Sequence, residues 1–180
     1  MEEKKLPKRK PTRLRNFDYG GCGTYFVTIC TADRKPILSK VVKAYGGNVG
    51  QGLAPAETAL YPCGKIAEEQ LLLLEKRFSS VKVDSYVIMP DHIHAVILIW
   101  YEHGTAEASL CPTLSQVVGT FKSLTTRACN RAYGTGRIFQ SSFYDHIIRN
   151  DADYEKTIEY VEDNPSRWMY KQTHPEEFKE

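Results

Sequence analysis

Two adjacent β-rich segments constrain the fold of this chain most strongly. Residues 81–89 and residues 92–100 are separated only by Pro90 and Asp91, and these two residue types favour tight turns. The second segment, HIHAVILIW, carries almost no polarity after its two histidines. Such a composition is typical of a strand that is covered on both faces. The pair therefore predicts a hairpin with a buried central strand.

Three other stretches predict regular elements around this hairpin. Residues 24–31 (TYFVTICT) predict a second buried central strand, and residues 138–148 predict a further strand. Two helices are predicted from apolar residues at helical spacing: residues 64–78 through Ile66, Leu71, Leu74 and Phe78, and residues 113–132 through Val117, Phe121, Leu124 and Ala128. Either Thr113 or Ser115 is the expected N-cap of the second helix.

The last predicted element is a helix that begins at Asp151 or Asp153 and runs towards Asn164. The proline that follows is expected to end it. The resulting order of strand, helix, strand, strand, helix, strand and helix is typical of a ferredoxin-like α+β sandwich. We therefore expect a central antiparallel sheet and an additional C-terminal helix. Residues 39–63, rich in glycine and proline, predict a long connection with room for a short strand at its start.

Composition excludes several classes of protein. A chain of 180 residues with 42% hydrophobic residues is expected to form one domain. It has no apolar run near the roughly 18 to 20 residues of a membrane span, and its charged N-terminus does not resemble a signal peptide. Its five cysteines are scattered and never spaced as Cys-x-x-Cys, which favours neither disulfides nor a zinc knuckle. We expect a cytoplasmic protein with no membrane partner.

The positive charge of the chain is concentrated at its N-terminus. Residues 1–15 carry a net charge of +5, whereas the other residues sum to −3. Two prolines and the absence of apolar periodicity predict an extended arm over residues 1–18. A basic arm on a mildly acidic body suggests a polyanion as partner, and a merely solubilising tail is the alternative.

Two histidines are the first candidate functional residues. Side chains alternate across a strand, so His92 and His94 are expected on one face. Buried imidazoles must be hydrogen-bonded, metal-bound or desolvated at a cost. The pair therefore predicts either metal ligands or two core histidines that are satisfied by backbone or carboxylate groups.

The predicted last helix supplies further candidates. Tyr160 and Asn164 are four residues apart and lie on one flank, together with Asp153 and Thr157. On the same helix, Tyr154, Ile158 and Val161 predict the apolar stripe. A phenol beside a metal ion can act as a nucleophile. A packing role is the alternative for Tyr160, because the chain contains 11 tyrosines.

These residues carry a resemblance to a known family. The runs MPDHIHAVILI, TFKSLTT, FQSSFYDHIIRN and DYEKTIEYVEDNP, in this order, resemble the single-tyrosine HUH transposases. Within these, the chain is most similar to the REP-associated tyrosine transposases and the insertion-sequence 200-like enzymes. The resemblance extends from about Tyr25 to Trp168. It implies a transposase domain over residues 19–170, with residues 171–180 as a polar tail.

The resemblance also implies an activity and a set of functional residues. It implies a metal-dependent endonuclease and strand transferase of single-stranded DNA, acting at hairpin or palindromic repeats through a 5′-phosphotyrosine intermediate. Tyr160 would be the nucleophile, and His92, His94 and Asn164 would bind Mg²⁺ or Mn²⁺. Related enzymes carry glutamine where Asn164 stands. Backbone contacts to DNA are expected from bases on the body and on the arm: Lys122, Arg127, Arg149, Lys8, Arg9 and Lys10.

Three questions stay open at this point. His146 has either a supporting role beside the metal ligands or a structural role on its strand. The chain is either a monomer or a homodimer. The alternatives to a transposase are a non-catalytic regulator derived from one, which binds hairpins without cutting, and a metal-dependent hydrolase of small phosphodiesters in which Tyr160 is only structural.

Overall fold

The computed structural model describes residues 22–44, 54–101 and 111–178. Within these residues, two short 3₁₀ helices, Ala32–Arg34 and Pro175–Phe178, accompany six strands and four α-helices. These elements follow one another as β1 (Gly23–Cys30), β2 (Ser39–Lys43), β3 (Ala56–Leu60), α1 (Pro62–Leu72), α2 (Leu74–Arg77), β4 (Val81–Ile88), β5 (His92–Ile99), α3 (Leu114–Tyr133), β6 (Tyr144–Ile148) and α4 (Asp151–Thr173).

The main sheet has four antiparallel strands in the order β4-β5-β1-β6. Strand β1 pairs with β5 along its whole length, from Gly23 opposite Ile99 to Cys30 opposite His92. Both β1 and β5 are therefore central, as their apolar sequences predict. Helices connect β1 to β4 and β5 to β6, which is the arrangement of a ferredoxin-like sandwich. The predicted α+β fold with a central antiparallel sheet and a C-terminal helix is confirmed.

The two faces of this sheet differ in character. On one face, Tyr25, Val27 and Ile29 of β1 alternate inward and meet residues of β5 and of helices α1 to α3 in one hydrophobic core. The opposite face of β5 carries His92 and His94, and helix α4 lies over it. The fold therefore separates an apolar core from a face on which polar residues meet α4.

The segment between β1 and α1 contains more structure than its composition indicates. Strands β2 and β3 pair with each other from Ser39 opposite Leu60 to Lys43 opposite Ala56. The short strand expected at the start of residues 39–63 is present as β2, whereas β3, which completes a hairpin with it, departs from the predicted long connection. Glycine and proline cluster only in its middle, and most of that middle (residues 45–53) lies outside the described residues. The basic arm also lies outside them.

The strand predicted over residues 138–148 is shorter than expected. Strand β6 begins only at Tyr144, and before it a single bridge joins Phe139 to Thr31. The carbonyl groups of Ser141 and Ser142 accept hydrogen bonds from the side chain of Lys122. The backbone between the bridge and β6 thus keeps one hydrogen bond to β1, from the N–H of Gln140 to the carbonyl of Cys30, and is otherwise bonded to a side chain of α3.

The helices on the core face lie where the sequence predicts them, but their bounds and buried residues differ from the prediction. The helix expected over residues 64–78 is divided at Leu73 into α1 and α2. Helix α3 begins with a capping box between Thr113 and Gln116, so Thr113 is the N-cap. Its buried side includes Thr125 and Cys129 instead of the expected Leu124 and Ala128, which are only half-buried. After Phe121, the buried positions of α3 lie one residue later than predicted, because packing, and not apolar spacing alone, sets the rotation of a helix.

Helix α4 departs most from its prediction. Its N-cap is Asn150, whose side chain accepts a hydrogen bond from the backbone N–H of Asp153. It continues through Pro165 to Thr173, so the expected end at Asn164 is wrong. Proline inside a helix removes one backbone hydrogen bond, but this proline is buried with its neighbours. The buried residues of α4 are Thr157, Val161, Asn164 and Pro165, whereas Tyr154 and Ile158 are only half-buried.

No helix among the described residues combines the length and the apolar composition that crossing a membrane requires.

One glycine allows α1 to approach the segment before β2. A Cβ atom on Gly64 would collide with the carbonyl oxygen of Leu38, which accepts a hydrogen bond from the N–H of Tyr61. Only glycine permits this close approach. The contact fixes the position of the start of α1 against the residues that lead into β2.

We predict that Gly64→Ala destabilises the protein by about 1–3 kcal/mol or more, because backbone must move to admit the methyl group. The matched control is Gly119→Ala in α3, where an added Cβ has nothing within 4 Å. This control should gain about 0.5–1 kcal/mol from the higher helix propensity of alanine. Urea unfolding of the two variants and the parent measures both changes, and equal midpoints for the two variants would contradict the prediction.

Candidate active site

The two histidines of β5 lie side by side beneath α4. His92 and His94 have exposed fractions of only 8% and 5%, and their ring centroids are 4.6 Å apart. Both alternate to the same face of β5, as predicted. The strand therefore presents two imidazoles as one buried pair.

Each of these rings is anchored through its Nδ1 atom. Nδ1 of His94 lies 2.9 Å from Oγ1 of Thr28, the residue opposite His94 in the pairing of β1 with β5. Nδ1 of His92 lies 2.6 Å from a carboxylate oxygen of Asp91. Neither Nε2 atom has a hydrogen-bond partner among the described residues. A histidine that is oriented through one nitrogen and free at the other is typical of a metal ligand.

Burial keeps both imidazoles neutral. It lowers the pKa of His94 to about 3, and the electrostatic effects of His92 and Arg34 act in the same direction. Burial also lowers the pKa of His92, although the hydrogen bond to Asp91 opposes this change. Neutral imidazole is the form that binds metal ions. Protons therefore compete little with a metal cation for the ring nitrogens of this pair.

Helix α4 places aromatic side chains on these rings. The ring of Tyr160 lies 5.3 Å from that of His94, centroid to centroid, and 5.9 Å from that of Phe26. Phe26 in turn stacks on His94 at 5.0 Å. Two turns further along α4, Trp168 lies 5.9 Å from His92. Tyr160 retains an exposed fraction of 39%, so a ligand in solvent can reach it.

Asn164 lies on the flank of α4 that faces the histidines. It follows Tyr160 by four residues and precedes Trp168 by four, and these two residues contact the two histidines. The side chain of Asn164 is buried and makes no hydrogen bond to the described residues. The structure thus brings His92, His94 and Tyr160 into one cluster and places Asn164 beside it.

The cluster supplies some of the ligand atoms that a hard divalent cation requires. Two imidazole nitrogens and an amide oxygen are available, and Mg²⁺ commonly completes its shell with water and phosphate oxygens. No group of three or more histidine, cysteine, aspartate and glutamate side chains among the described residues could hold a metal ion. Any cation bound here would therefore depend on oxygen atoms from water or substrate.

Several residues near the cluster escaped the sequence analysis. The guanidinium of Arg167 lies 5.7 Å from the centroid of the Tyr160 ring, and Arg34 reaches a carboxylate oxygen of Asp91 at 3.4 Å. Helical spacing from Tyr160 could have indicated Arg167 and Trp168, and adjacency to His92 could have indicated Asp91. No local signal could have indicated Arg34 or Thr28, because their positions depend on the register of β1 and on the turn after it.

The bases predicted to contact DNA are not gathered at this cluster. Lys122 and Arg127 belong to α3, on the opposite face of the sheet, and Arg149 is exposed between β6 and α4. The ammonium group of Lys122 donates to the carbonyl oxygens of Ser141 and Ser142 at 2.9 and 3.3 Å, and burial lowers its pKa. The remaining three predicted bases, Lys8, Arg9 and Lys10, lie outside the described residues.

His146 ties strand β6 to helix α4. Its Nε2 atom lies 3.0 and 2.9 Å from the two carboxylate oxygens of Asp153, in the first turn of α4. This hydrogen bond is the main reason that the pKa of Asp153 is lowered. Among the described contacts, none joins His146 to His92 or His94. The geometry favours the structural role for His146 over a supporting role beside the metal ligands.

We predict that His146→Ala raises the pKa of Asp153 towards its ordinary value, since the mutation removes the largest cause of the decrease. The stabilisation from this carboxylate is present above its unfolded pKa and is lost as the pH falls through the lowered folded pKa. NMR titration of the Asp153 carboxyl carbon measures the change. Asp84, whose pKa is lowered mainly by the hydrogen bond from Lys82, is the internal control and should keep its lowered pKa. An unchanged Asp153 titration would contradict the interpretation.

Comparisons with known proteins agree with this fold. No family model matches the chain. An uncharacterized protein of Haemophilus influenzae is 24% identical to it over 173 residues, which cover 89% of each chain. Among solved structures, a REP-associated tyrosine transposase bound to a REP hairpin is similar, with a TM-score of 0.55 and 19% identity over 87% of this chain and 73% of that one. The resemblance found in the sequence is confirmed at the level of the fold: this chain has the fold of a REP-associated tyrosine transposase.

Proposed function

We propose that this chain is a transposase of the REP-associated tyrosine type, which cuts and rejoins single-stranded DNA at hairpin or palindromic repeats. The observation that carries the proposal is the contact between Tyr160 and His94, one of two buried imidazoles whose Nε2 atoms have no hydrogen-bond partner among the described residues. The fold shared with a transposase that binds a REP hairpin supports the same substrate class.

Tyr160 would be the nucleophile. Its hydroxyl oxygen would attack the scissile phosphorus, forming a bond from tyrosine to the 5′-phosphate. The bond from phosphorus to the 3′ oxygen breaks, and the phenolic proton is balanced by the proton that the released 3′-hydroxyl takes up. Rejoining is the reverse reaction with a new 3′-hydroxyl. The phosphotyrosine bond conserves the energy of the broken phosphodiester, so no nucleotide cofactor is required.

His92, His94 and Asn164 would hold Mg²⁺ or Mn²⁺ beside this tyrosine. Such a cation supplies positive charge that polarises the phosphate. Asp91 and Thr28 orient the two imidazoles through Nδ1, so that each Nε2 is directed by a fixed hydrogen bond. Arg167, beside the Tyr160 ring, is placed to donate hydrogen bonds to phosphate oxygens.

Electrostatic attachment to the DNA backbone would come from basic residues outside this cluster. We assign it to the arm, including Lys8, Arg9 and Lys10, and to Arg127 and Arg149, which are exposed. Lys122 is the weakest of the predicted contacts, because its ammonium group already donates to two carbonyl oxygens. Contacts of this kind are independent of base sequence and sensitive to salt.

One observation favours a second candidate, a non-catalytic regulator that binds hairpins. Only two histidines of the described residues meet at the cluster, and those residues contain no group of three or more histidine, cysteine, aspartate and glutamate side chains that could hold a metal ion. A regulator would keep the fold and the DNA affinity without forming a covalent intermediate. Detection of a protein–DNA adduct distinguishes the two functions.

We predict that Tyr160→Phe abolishes covalent adduct formation and changes DNA affinity by less than about threefold, since phosphate contacts supply most of the binding. The assay incubates the protein and Mn²⁺ with stem–loop oligonucleotides that carry randomised single-stranded flanks, and resolves adducts on denaturing gels. Tyr144→Phe is the matched control, because Tyr144 is also exposed but belongs to β6. Adducts that persist in Tyr160→Phe would refute the assignment, and their absence from the parent protein would favour the regulator.

A second prediction concerns the orientation of His92. Asp91→Asn should weaken Mn²⁺ binding about 10- to 100-fold, as loss of a carboxylate behind a ligating histidine typically does. Asp33→Asn removes the same charge from a side chain that is 81% exposed and should have little effect. Calorimetric titration with Mn²⁺ measures both. Equal losses in the two variants would indicate a general charge effect, and unchanged affinity in Asp91→Asn and in His94→Ala would exclude the cluster as the metal site.

A further inference from the structure

A pocket of about 410 Å³ opens beside the candidate active site. It lies between the turn after β1, the strand β2, the turn between β4 and β5, and the C-terminal part of α4. Its volume is within the roughly 300–1,000 Å³ range of small-ligand sites. Its lining includes Arg34, Lys40, Tyr61, Asp91 and Trp168.

The pocket shares two of its walls with the histidine pair. Asp91 lines it and also anchors Nδ1 of His92 at 2.6 Å. Trp168 lines it and also contacts the ring of His92. Trp168 lies eight residues after Tyr160 in α4, a rise of about 12 Å along the helix. A single strand whose phosphate is held at Tyr160 therefore reaches Trp168 within about four stacked nucleotides.

The remaining walls combine aromatic surface with positive charge. Tyr61 has an exposed fraction of 39%, and Trp168 is half-buried, so both rings keep surface available to a ligand. Arg34 and Lys40 are exposed on the other side of the pocket. Aromatic platforms beside cations are the arrangement with which proteins bind the bases and phosphates of single-stranded nucleic acid.

The backbone is strained at Arg34, whose guanidinium lines the pocket, and at Asp33 before it. Asp33 and Arg34 have φ angles of 56° and 54°, which non-glycine residues rarely adopt. The turn is held by hydrogen bonds from the N–H of Arg34 to the carbonyl of Thr31 and from the hydroxyl of Thr31 to the carbonyl of Lys35. Such strain persists where surrounding contacts over-determine it and is concentrated at functional sites.

We propose that this pocket binds one unpaired nucleotide of the cleaved strand, with its base stacked on Trp168 and its phosphate contacted by Arg34 and Lys40. The inference rests on the proposed function and adds a base-binding subsite to it. Because stacking accepts any base, the subsite fixes the register of the strand at Tyr160 rather than reading its sequence.

The test is an abasic scan in a protein that cannot cleave. Tyr160→Phe in EDTA is used to select a stem–loop oligonucleotide with single-stranded flanks by equilibrium binding. Each flanking nucleotide is then replaced in turn by an abasic residue. We expect one position at which the affinity falls about 5- to 100-fold, which corresponds to the stacking of one base at 1.4 kcal/mol per tenfold change.

Variants of the pocket connect that position to Trp168. Trp168→Leu should lower affinity for the intact strand and remove its dependence on the abasic position, whereas Trp168→Phe should keep part of it. Lys40→Ala should reduce the slope of log K against log salt by about 0.7. Lys43→Ala, an exposed lysine at the end of the same strand and outside the pocket, is the matched control.

A fluorescence measurement keeps the proposal testable if Trp168 variants do not fold. The chain contains two tryptophans, so Trp100→Phe leaves Trp168 as the only reporter. Intact oligonucleotide should quench its emission, and the oligonucleotide that is abasic at the sensitive position should not. A flat scan, or a sensitive position that Trp168 does not report, would overturn the subsite while leaving adduct formation at Tyr160 intact. Failure to select any oligonucleotide would overturn both the subsite and the proposed function.

Discussion

The burial of two imidazoles on a central strand is the constraint on which the rest of this structure depends. Each ring needs a partner for Nδ1, because an unsatisfied buried polar group is costly. Thr28 meets His94 only in the observed register of β1 with β5, and Asp91 meets His92 from the turn that begins β5. A slip of one residue would turn both histidines into the apolar core. The register of the sheet therefore determines the geometry of the histidine pair.

The turn that holds Asp91 is itself held by the segment after β1. The backbone carbonyl of Asp91 accepts hydrogen bonds from the N–H and the hydroxyl of Thr31, at 2.9 and 3.0 Å. The carbonyl of Pro90 accepts from the N–H of Leu38, whose own carbonyl packs against Gly64. A chain of contacts thus connects α1, on the core face of the sheet, to Asp91, whose carboxylate is hydrogen-bonded to His92. It also explains why the pocket and the histidine pair share walls, since both are built on this turn.

Local sequence signals predicted what depends on short range and failed where tertiary contacts decide. The apolar runs predicted β1 and β5, and alternation placed both histidines on one face. The N-cap Thr113 was predicted as one of two choices by its side-chain chemistry. In contrast, the predicted end of α4 at Asn164 was wrong. The helix continues through Pro165, because this proline is buried and its packing compensates for the lost hydrogen bond. Thr28 and Arg34 were not predicted, because their neighbours arise from the pairing register and from a strained turn, and no local pattern encodes either of these.

The polar face of the sheet is poorly explained by folding alone. The opposite face supplies a continuous apolar core, and replacing paired polar groups with apolar side chains of similar shape is often neutral or stabilising. The Nε2 atoms of His92 and His94 and the side chain of Asn164 make no hydrogen bonds to the described residues, and none of them is among the fully buried atoms that lack a partner, so solvent can reach them. Natural chains place polar groups against a local rule of this kind mainly where function requires them. A cation and a phosphate bound between β5 and α4 would complete the bonding of these groups, which is the physical reason why the proposed chemistry is assigned to that face.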